Sequence, residues 1–254
     1  MNRFLAALAA ALLIAGASAD SHALEIGARG AYWFPEISGA VRTITAGIVE
    51  TDIDLKNTLG VQDENLPFGE LFFSFGNSTL RVGFTKLDFT GSRVLNQNIT
   101  FNGQNFAVAE AVTTDIDISM IDASWQYDIL RPSVGVGSVN LGLLLQVKYV
   151  DGDVRLTGSA TGTAAETFQA PIPMVGAAFG VGLVKNLLRA DIRGAGIGFS
   201  GNHLVDVEAY ASITPFPFVK LQGGYRYLGL QIDEAEILAS LRLKGPYAGV
   251  QISF

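Results

Sequence analysis

The chain has 254 residues, 17 Lys plus Arg against 24 Asp plus Glu, a formal net charge of −7 and no cysteine. The acidic balance argues against nucleic acid as a partner, and the missing cysteines exclude a disulfide framework. Although 49% of the residues are apolar, no uninterrupted apolar run beyond residue 24 reaches the length of a helical membrane span. Charges break the candidates, or glycines do, as in Val175–Gly180.

The N-terminus reads as a signal peptide. Arg3 supplies the positive end, Phe4 to Ala17 an apolar stretch of mostly Ala and Leu, and small residues follow. Cleavage is expected after Ala23, with Ala19 as the alternative, so that residues 1–23 are removed and 24–254 form one domain. His22 would leave with the peptide.

Strand-like sequence begins at Leu24, and Tyr32, Trp33 and Phe34 stand where the first strand would leave a bilayer. Residues 35–66 read as a long polar loop. Within it Asp54 can cap a turn through Leu55 and Leu59, four apart, and Gly60 can take the left-handed closing conformation. A tight turn is expected at Gly76-Asn77-Ser78. The following strand carries Leu80, Val82 and Phe84 on one face but falls out of phase at Lys86 and Asp88, which predicts a bulge or an exit from hydrocarbon. Phe84 and Phe89 straddle that end. After a loop over 90–110, Trp125 and Tyr127 approach the opposite rim, where Arg131-Pro132-Ser133 forms a turn.

The clearest alternation lies in Val139–Tyr149, where odd positions are apolar and even ones include Asn140, Gln146 and Lys148. A loop over 150–171 and a turn at Lys185-Asn186 follow. Arg189, Asp191 and Arg193 then share one parity. In Val205–Ile213 both carboxylates, Asp206 and Glu208, fall on one face, with Val, Ala and Ile on the other. In a soluble barrel such charges would enter an apolar core, whereas in a membrane barrel they face a polar lumen. Beyond a short loop at 199–203, a turn at Pro215-Phe216-Pro217 and a loop at 229–238, Lys220 and Arg226 take the same inward parity. Their signs oppose those of Asp206 and Glu208 on the neighbouring strand, so the seven charges are expected to pair as a lumen network. It would act as a rigidifying plug or as a constriction selecting small ions.

The chain ends in Tyr247-Ala248-Gly249-Val250-Gln251-Ile252-Ser253-Phe254, whose even positions would meet lipid and odd ones the lumen. In lipid only helices or closed barrels satisfy the backbone, so the fold class is all-β. The expectation is an antiparallel up-and-down transmembrane barrel in which four turns and five loops join ten strands, with eight or twelve as alternatives. The ending resembles the C-terminal signal by which outer-membrane proteins engage the barrel-assembly machinery, with Tyr247, Gly249, Ile252 and Phe254 in its places. Tyr247 is less polar than that pattern asks. Asp52–Gly60 resembles a piece of uncharacterised outer-membrane barrel families. The resemblance implies a bacterial outer-membrane location, with bilayer lipid, lipopolysaccharide and the assembly machinery as partners.

Chemistry-bearing motifs are sparse, and neither a cofactor nor a metal is expected. Asp-x-Asp occurs at Asp52 and Asp54, Asp115 and Asp117, and Asp151 and Asp153, without the spacing or closing Glu of a calcium loop. His203, near Ser200 and Asp206, lacks a second histidine or an oriented base, and Ser200-Gly201-Asn202-His203 reads as a turn rather than a hydrolase site. The sequence therefore points away from an enzyme. It favours a porin-like or passive narrow channel, with a structural or adhesion barrel acting through its loops as the alternative and a rim hydrolase using His203 ranked behind both.

Overall fold

The computed structural model describes residues 24–45, 48–134, 137–184, 187–233 and 237–254, so the expected signal peptide and the turn expected at Lys185-Asn186 lie outside the described residues. Fifteen strands follow one another: β1 (Glu25–Trp33), β2 (Glu36–Thr45), β3 (Ile48–Asp54), β4 (Leu66–Phe75), β5 (Ser78–Val94), β6 (Ile99–Phe101), β7 (Gln104–Phe106), β8 (Ala111–Leu130), β9 (Ser133–Val134), β10 (Gly137–Gly158), β11 (Gly162–Leu183), β12 (Leu188–Phe199), β13 (Asn202–Phe216), β14 (Val219–Asp233) and β15 (Ile237–Ser253). Ten of them, β1, β4, β5, β8 and β10 through β15, form a continuous antiparallel ladder that β1 and β15 close. This is the expected ten-stranded barrel.

Closure needs a jointed first wall. The lower half of β15, Tyr247–Ser253, pairs with β1, and its upper half, Ile237–Lys244, pairs with β2. The joint falls at Phe34-Pro35, where Pro35 cannot donate to a ladder. Gly245 opposite comes so close that any Cβ would run into the Phe34 carbonyl. At the terminus, the Phe254 amide donates to the Ile26 carbonyl at 2.9 Å and the Ile26 amide returns the bond to the Phe254 carbonyl at 3.1 Å.

The apolar belt locates the membrane. Leu71, Val82, Ile121, Leu143, Leu145, Val147, Val175, Phe179, Ile192, Leu221, Val250 and Ile252 are exposed and face outward, and Phe254 is 70% exposed. A protein surface of this kind is stable only against lipid. Four strands share its upper limit: Phe84 is the register partner of Ile121, Ile121 of Tyr149, and Tyr149 of Pro171. Above that line polarity inverts. Outward positions become Lys86, Asp88, Asp115, Asp117, Asp151 and Asp153, while Leu87, Phe89, Ile116, Ile118 and Leu156 are buried inside. The β5–β8 register runs unbroken through Lys86 and Asp88, so the change of phase marks the exit from hydrocarbon and not a bulge.

Several expected loops are strands. Residues 150–171 form the upper arms of β10 and β11, each 22 residues long and joined across Ser159–Thr161. A span needs about 9–11 residues, so roughly half of each strand stands clear of the bilayer. Residues 35–66 contain β2 and β3, residues 229–233 and 237–238 belong to β14 and β15, and 90–110 include the β6–β7 hairpin. The turn expected at Pro215-Phe216-Pro217 sits at Pro217-Phe218. Two aromatic assignments also change: Tyr32, Phe34, Phe84, Trp125, Tyr127, Phe216 and Phe218 are exposed, but Trp33 and Phe89 are buried in the interior.

Candidate functional site

The barrel interior is layered. Its cap, at the end away from the chain termini, is apolar: Trp33, Ile37, Leu66, Leu87, Phe89, Ile118, Met120, Met174, Leu204, Leu228 and Leu243 form one buried cluster. The segment after β3 completes it. Asp54 Oδ1 accepts from the Lys56 amide at 3.0 Å and the Asn57 amide at 2.6 Å, capping the turn, and Gly60 closes it at φ 70. Leu55, Leu59 and Val61 are thereby driven into the mouth and join the cluster. The Leu55 amide donates to the Gly39 carbonyl at 3.0 Å, the Gln62 amide to Thr90 at 3.1 Å, and the Ile37 amide to Asp63 Oδ1 at 2.7 Å. Gly91 has no room for a Cβ because the Leu59 carbonyl and Val61 amide lie against it.

Below the cap is an ionic layer. Arg29 Nη1 donates to Glu208 Oε1 at 2.6 Å, and Arg193 reaches both Glu208 at 2.7 Å and Glu70 at 2.6 Å. Lys148, fully buried, lies 2.5 Å from Asp122 and 3.0 Å from Asp206, whose other partner is Arg226 at 2.8 Å. The seam between layers is made of ring faces: the Arg29 guanidinium sits over Phe68 at 5.2 Å, and that of Arg226 over Trp33 at 5.1 Å and Phe68 at 5.4 Å. Aromatic faces attract cations while their other sides pack on hydrocarbon, which lets charge and grease abut. A cavity of about 60 Å³ is left within this layer, room for about two waters.

Toward the short turns the lumen widens to a vestibule of about 480 Å³, lined by Arg81, Gln126, Asn140, Arg189, Asp191 and Lys220 among others. Gly180 makes space for part of its wall, because a Cβ there would collide with Arg189, Asp191 and Asn140. Arg189 donates to Asp191 Oδ1 at 2.7 Å and to Asn140.

All seven expected network residues line the interior. Arg193 with Glu208 and Arg226 with Asp206 pair between adjacent strands, as their signs suggest. Arg189 instead pairs along its own strand with Asp191, and Lys220 with Glu25 of β1 at 3.4 Å. Sequence reasoning missed Arg29, Glu70, Arg81, Asp122, Asp128 and Lys148. Inward parity was their available signal, with Arg29 alternating with the outward Ala28 and Gly30. Of the closing-strand residues, Tyr247 and Gly249 point inward, and Ile252 and Phe254 outward.

The remaining candidates do not assemble a reaction centre. His203 takes the outward parity and Asp206 the inward one, so the two lie on opposite faces of β13. Asp117 pairs with Lys86 at 2.9 Å and Asp153 with Arg155 at 2.8 Å. Among the described residues no group of three or more His, Cys, Asp or Glu could hold a metal ion.

A scan against protein-family models and a search of curated proteins give no match. Among solved structures the chain is similar to the outer membrane protease OmpT from Escherichia coli, with a TM-score of 0.58 at 8% identity, covering 93% of this chain and 100% of that one. It is also similar to Ail of Yersinia pestis, the attachment invasion locus protein, with a TM-score of 0.38 at 11% identity over 92% of this chain and 100% of that one. The translocator domain of the autotransporter NalP from Neisseria meningitidis gives a TM-score of 0.41 at 11% identity, over 100% and 94%. At 8% identity the likeness to OmpT is one of fold. Joined to the lipid-facing belt, it makes this chain an integral β-barrel of the bacterial outer membrane.

Proposed function

We propose that this protein is a closed-lumen outer-membrane barrel that presents an extracellular sheet, and that it is neither an open porin nor an enzyme. One observation carries the reading: Leu55, Leu59 and Val61 fill the mouth as part of a continuous buried apolar cluster, directly above an ionic layer whose charges are cross-paired. Ions cross hydrocarbon-like constrictions poorly. The upper arms of β8 and β10 carry Asp115, Asp117, Asp151 and Asp153 outward, above the belt. This acidic face is the surface available for contact with lipopolysaccharide or a protein partner. Tyr247, Gly249, Ile252 and Phe254 are proposed as the address read by the barrel-assembly machinery.

A narrow, slowly conducting channel is the second reading, favoured by the vestibule that reaches from the short turns to the ionic layer. Planar-bilayer recording separates the two. The closed-lumen reading expects no discrete conductance steps. Steps whose ion selectivity reverses in Arg193→Glu or Glu208→Lys would overturn it in favour of the channel.

A further inference from the structure

We propose that the periplasm-facing vestibule binds a small oxyanion, a carboxylate or phosphate compound, through Arg81. The argument begins with charge pairing. Among the described residues seven other cations line the interior, and each has a carboxylate oxygen within hydrogen-bonding range: Arg29, Arg193, Lys148 and Arg226 at 2.5–2.8 Å, Arg189 at 2.7 Å, and Lys220 and Arg131 at 3.4 Å. Arg81 is the exception among the described residues. Its nearest carboxylate, Glu70, is 3.8 Å away and already bonded by two nitrogens of Arg193, and its one hydrogen bond goes to the neutral Gln126 Oε1 at 3.0 Å. A guanidinium carries five N–H donors in a planar fork suited to bidentate oxyanions, so most of its donor capacity is unspent.

Placement supplies the second element. Arg81 borders both the small cavity of the ionic layer and the vestibule, and its side chain remains 17% accessible where Arg29 retains 4%. The vestibule, at about 480 Å³, has the size of a metabolite site. On its wall beside Arg81 are the hydroxyls of Ser74 and Thr79, 3.0 Å apart, and the acids of the vestibule, Glu25, Glu70, Asp128 and Asp191, are held by Lys220, Arg193, Arg131 and Arg189. An anion entering from the turn side would meet this least compensated cation at the closed end of the vestibule, where partial burial makes attraction stronger than in bulk water. The inference needs the cup and its charge but not the closed mouth, so it stands or falls apart from the conductance result.

Isothermal titration of the folded barrel in zwitterionic detergent tests it, with citrate and inorganic phosphate as separate probes against chloride of equal ionic strength. Saturable binding of at least one probe is expected, and the two probes distinguish a carboxylate ligand from a phosphate one. Arg81→Gln should weaken it at least tenfold. Thr79→Asp, which leaves the ionic layer intact but places a carboxylate two residues along the same inward face, should do the same, whereas Asp153→Asn on the outer surface should change nothing. No saturable binding of either probe overturns the proposal. So does unchanged affinity in Arg81→Gln or, should that variant not fold, in Thr79→Asp.

Discussion

Arg29 and Glu208, 179 positions apart in sequence, are joined by two hydrogen bonds of 2.6 and 3.2 Å through the lumen. They tie β1, where the barrel closes, to β13, three strands round the wall by way of β15 and β14. Glu208 also holds Arg193, so removing its carboxylate leaves two buried guanidinium groups short of a partner. Glu208→Ala is expected to destabilise the barrel by about 3–5 kcal/mol, the usual result of breaking a buried pair from one side. Urea midpoints in liposomes, followed by tryptophan fluorescence, give the measurement, and a loss below about 1 kcal/mol would contradict this role.

The apolar cap makes a different prediction. Gly91 accepts the plug segment only because it lacks a Cβ, so Gly91→Val must push Leu59 and Val61 away from β5. Leu59→Ala removes packing alone and should cost about 2–5 kcal/mol. In bilayer recordings Gly91→Val is the substitution most apt to open the mouth, and intermittent conductance is expected from it but not from the parent protein.

The line through Phe84, Ile121, Tyr149 and Pro171 can be placed by charge insertion. Val82 lies below it and Asp88 above it, on the same outward face of β5. Arginine on a lipid face costs about 2–4 kcal/mol near the bilayer midplane and about 0–1 kcal/mol near the interface. Val82→Arg should therefore lower folding free energy measurably in liposomes, and Asp88→Arg should leave it nearly unchanged. Equal costs would mean that the belt is misplaced.

That same line explains what the sequence could and could not disclose. Within the bilayer one rule holds, apolar out and polar in, and Val139–Tyr149 states it plainly enough to fix parity for the whole barrel. Above the bilayer water surrounds the sheet and the rule reverses, so Lys86 and Asp88 looked like an error of phase while Leu87 and Phe89 were in fact entering a core. Upper arms rich in Asp, Thr and Gly resemble loops for the same reason, since an outward face in water needs no hydrocarbon. Ion pairs between neighbouring strands, such as Arg193 with Glu208, followed from parity and order. Those between strands three apart, Arg29 with Glu208 or Lys148 with Asp206, depend on strand tilt and stagger, which local patterning does not carry.

Glu110 provides a pH test outside the membrane. Its carboxylate accepts the amides of Ala160 and Thr161 at 2.8 and 2.7 Å, the Thr161 hydroxyl at 2.8 Å and the Ala107 amide at 3.2 Å. These donors, led by the Thr161 and Ala160 amides, hold its pKa below the ordinary carboxylate value. A depressed value in the folded state means stabilisation that is complete above the unfolded pKa and fades as pH falls through the folded one. Amide exchange at Ala160 and Thr161 should be slow at neutral pH and accelerate in acid, beyond the intrinsic pH trend. Glu110→Gln should bring fast exchange to neutral pH. Protection that survives both acid and Glu110→Gln would exclude this anchor.

Pro173 sets where the barrel wall parts. The β11–β12 ladder ends at the Val175–Gly196 pair, and two residues further on the next bonded rung would join Pro173 to Gly198. Proline has no N–H to give, and Pro171 repeats the fault one rung higher, so β11 continues upward bonded to β10 alone. The free side is partly covered: the side-chain amides of Asn102 and Gln104, on the β6–β7 hairpin, donate to the Ala165 and Thr163 carbonyls at 2.5 and 3.4 Å. Restoring the donor with Pro173→Ala should extend the ladder by one rung, protect the Gly198 amide from exchange and add about 0.5–1.5 kcal/mol, the net worth of a backbone hydrogen bond. If Gly198 exchanges at the same rate in both proteins, strand tilt rather than the missing donor separates β11 from β12.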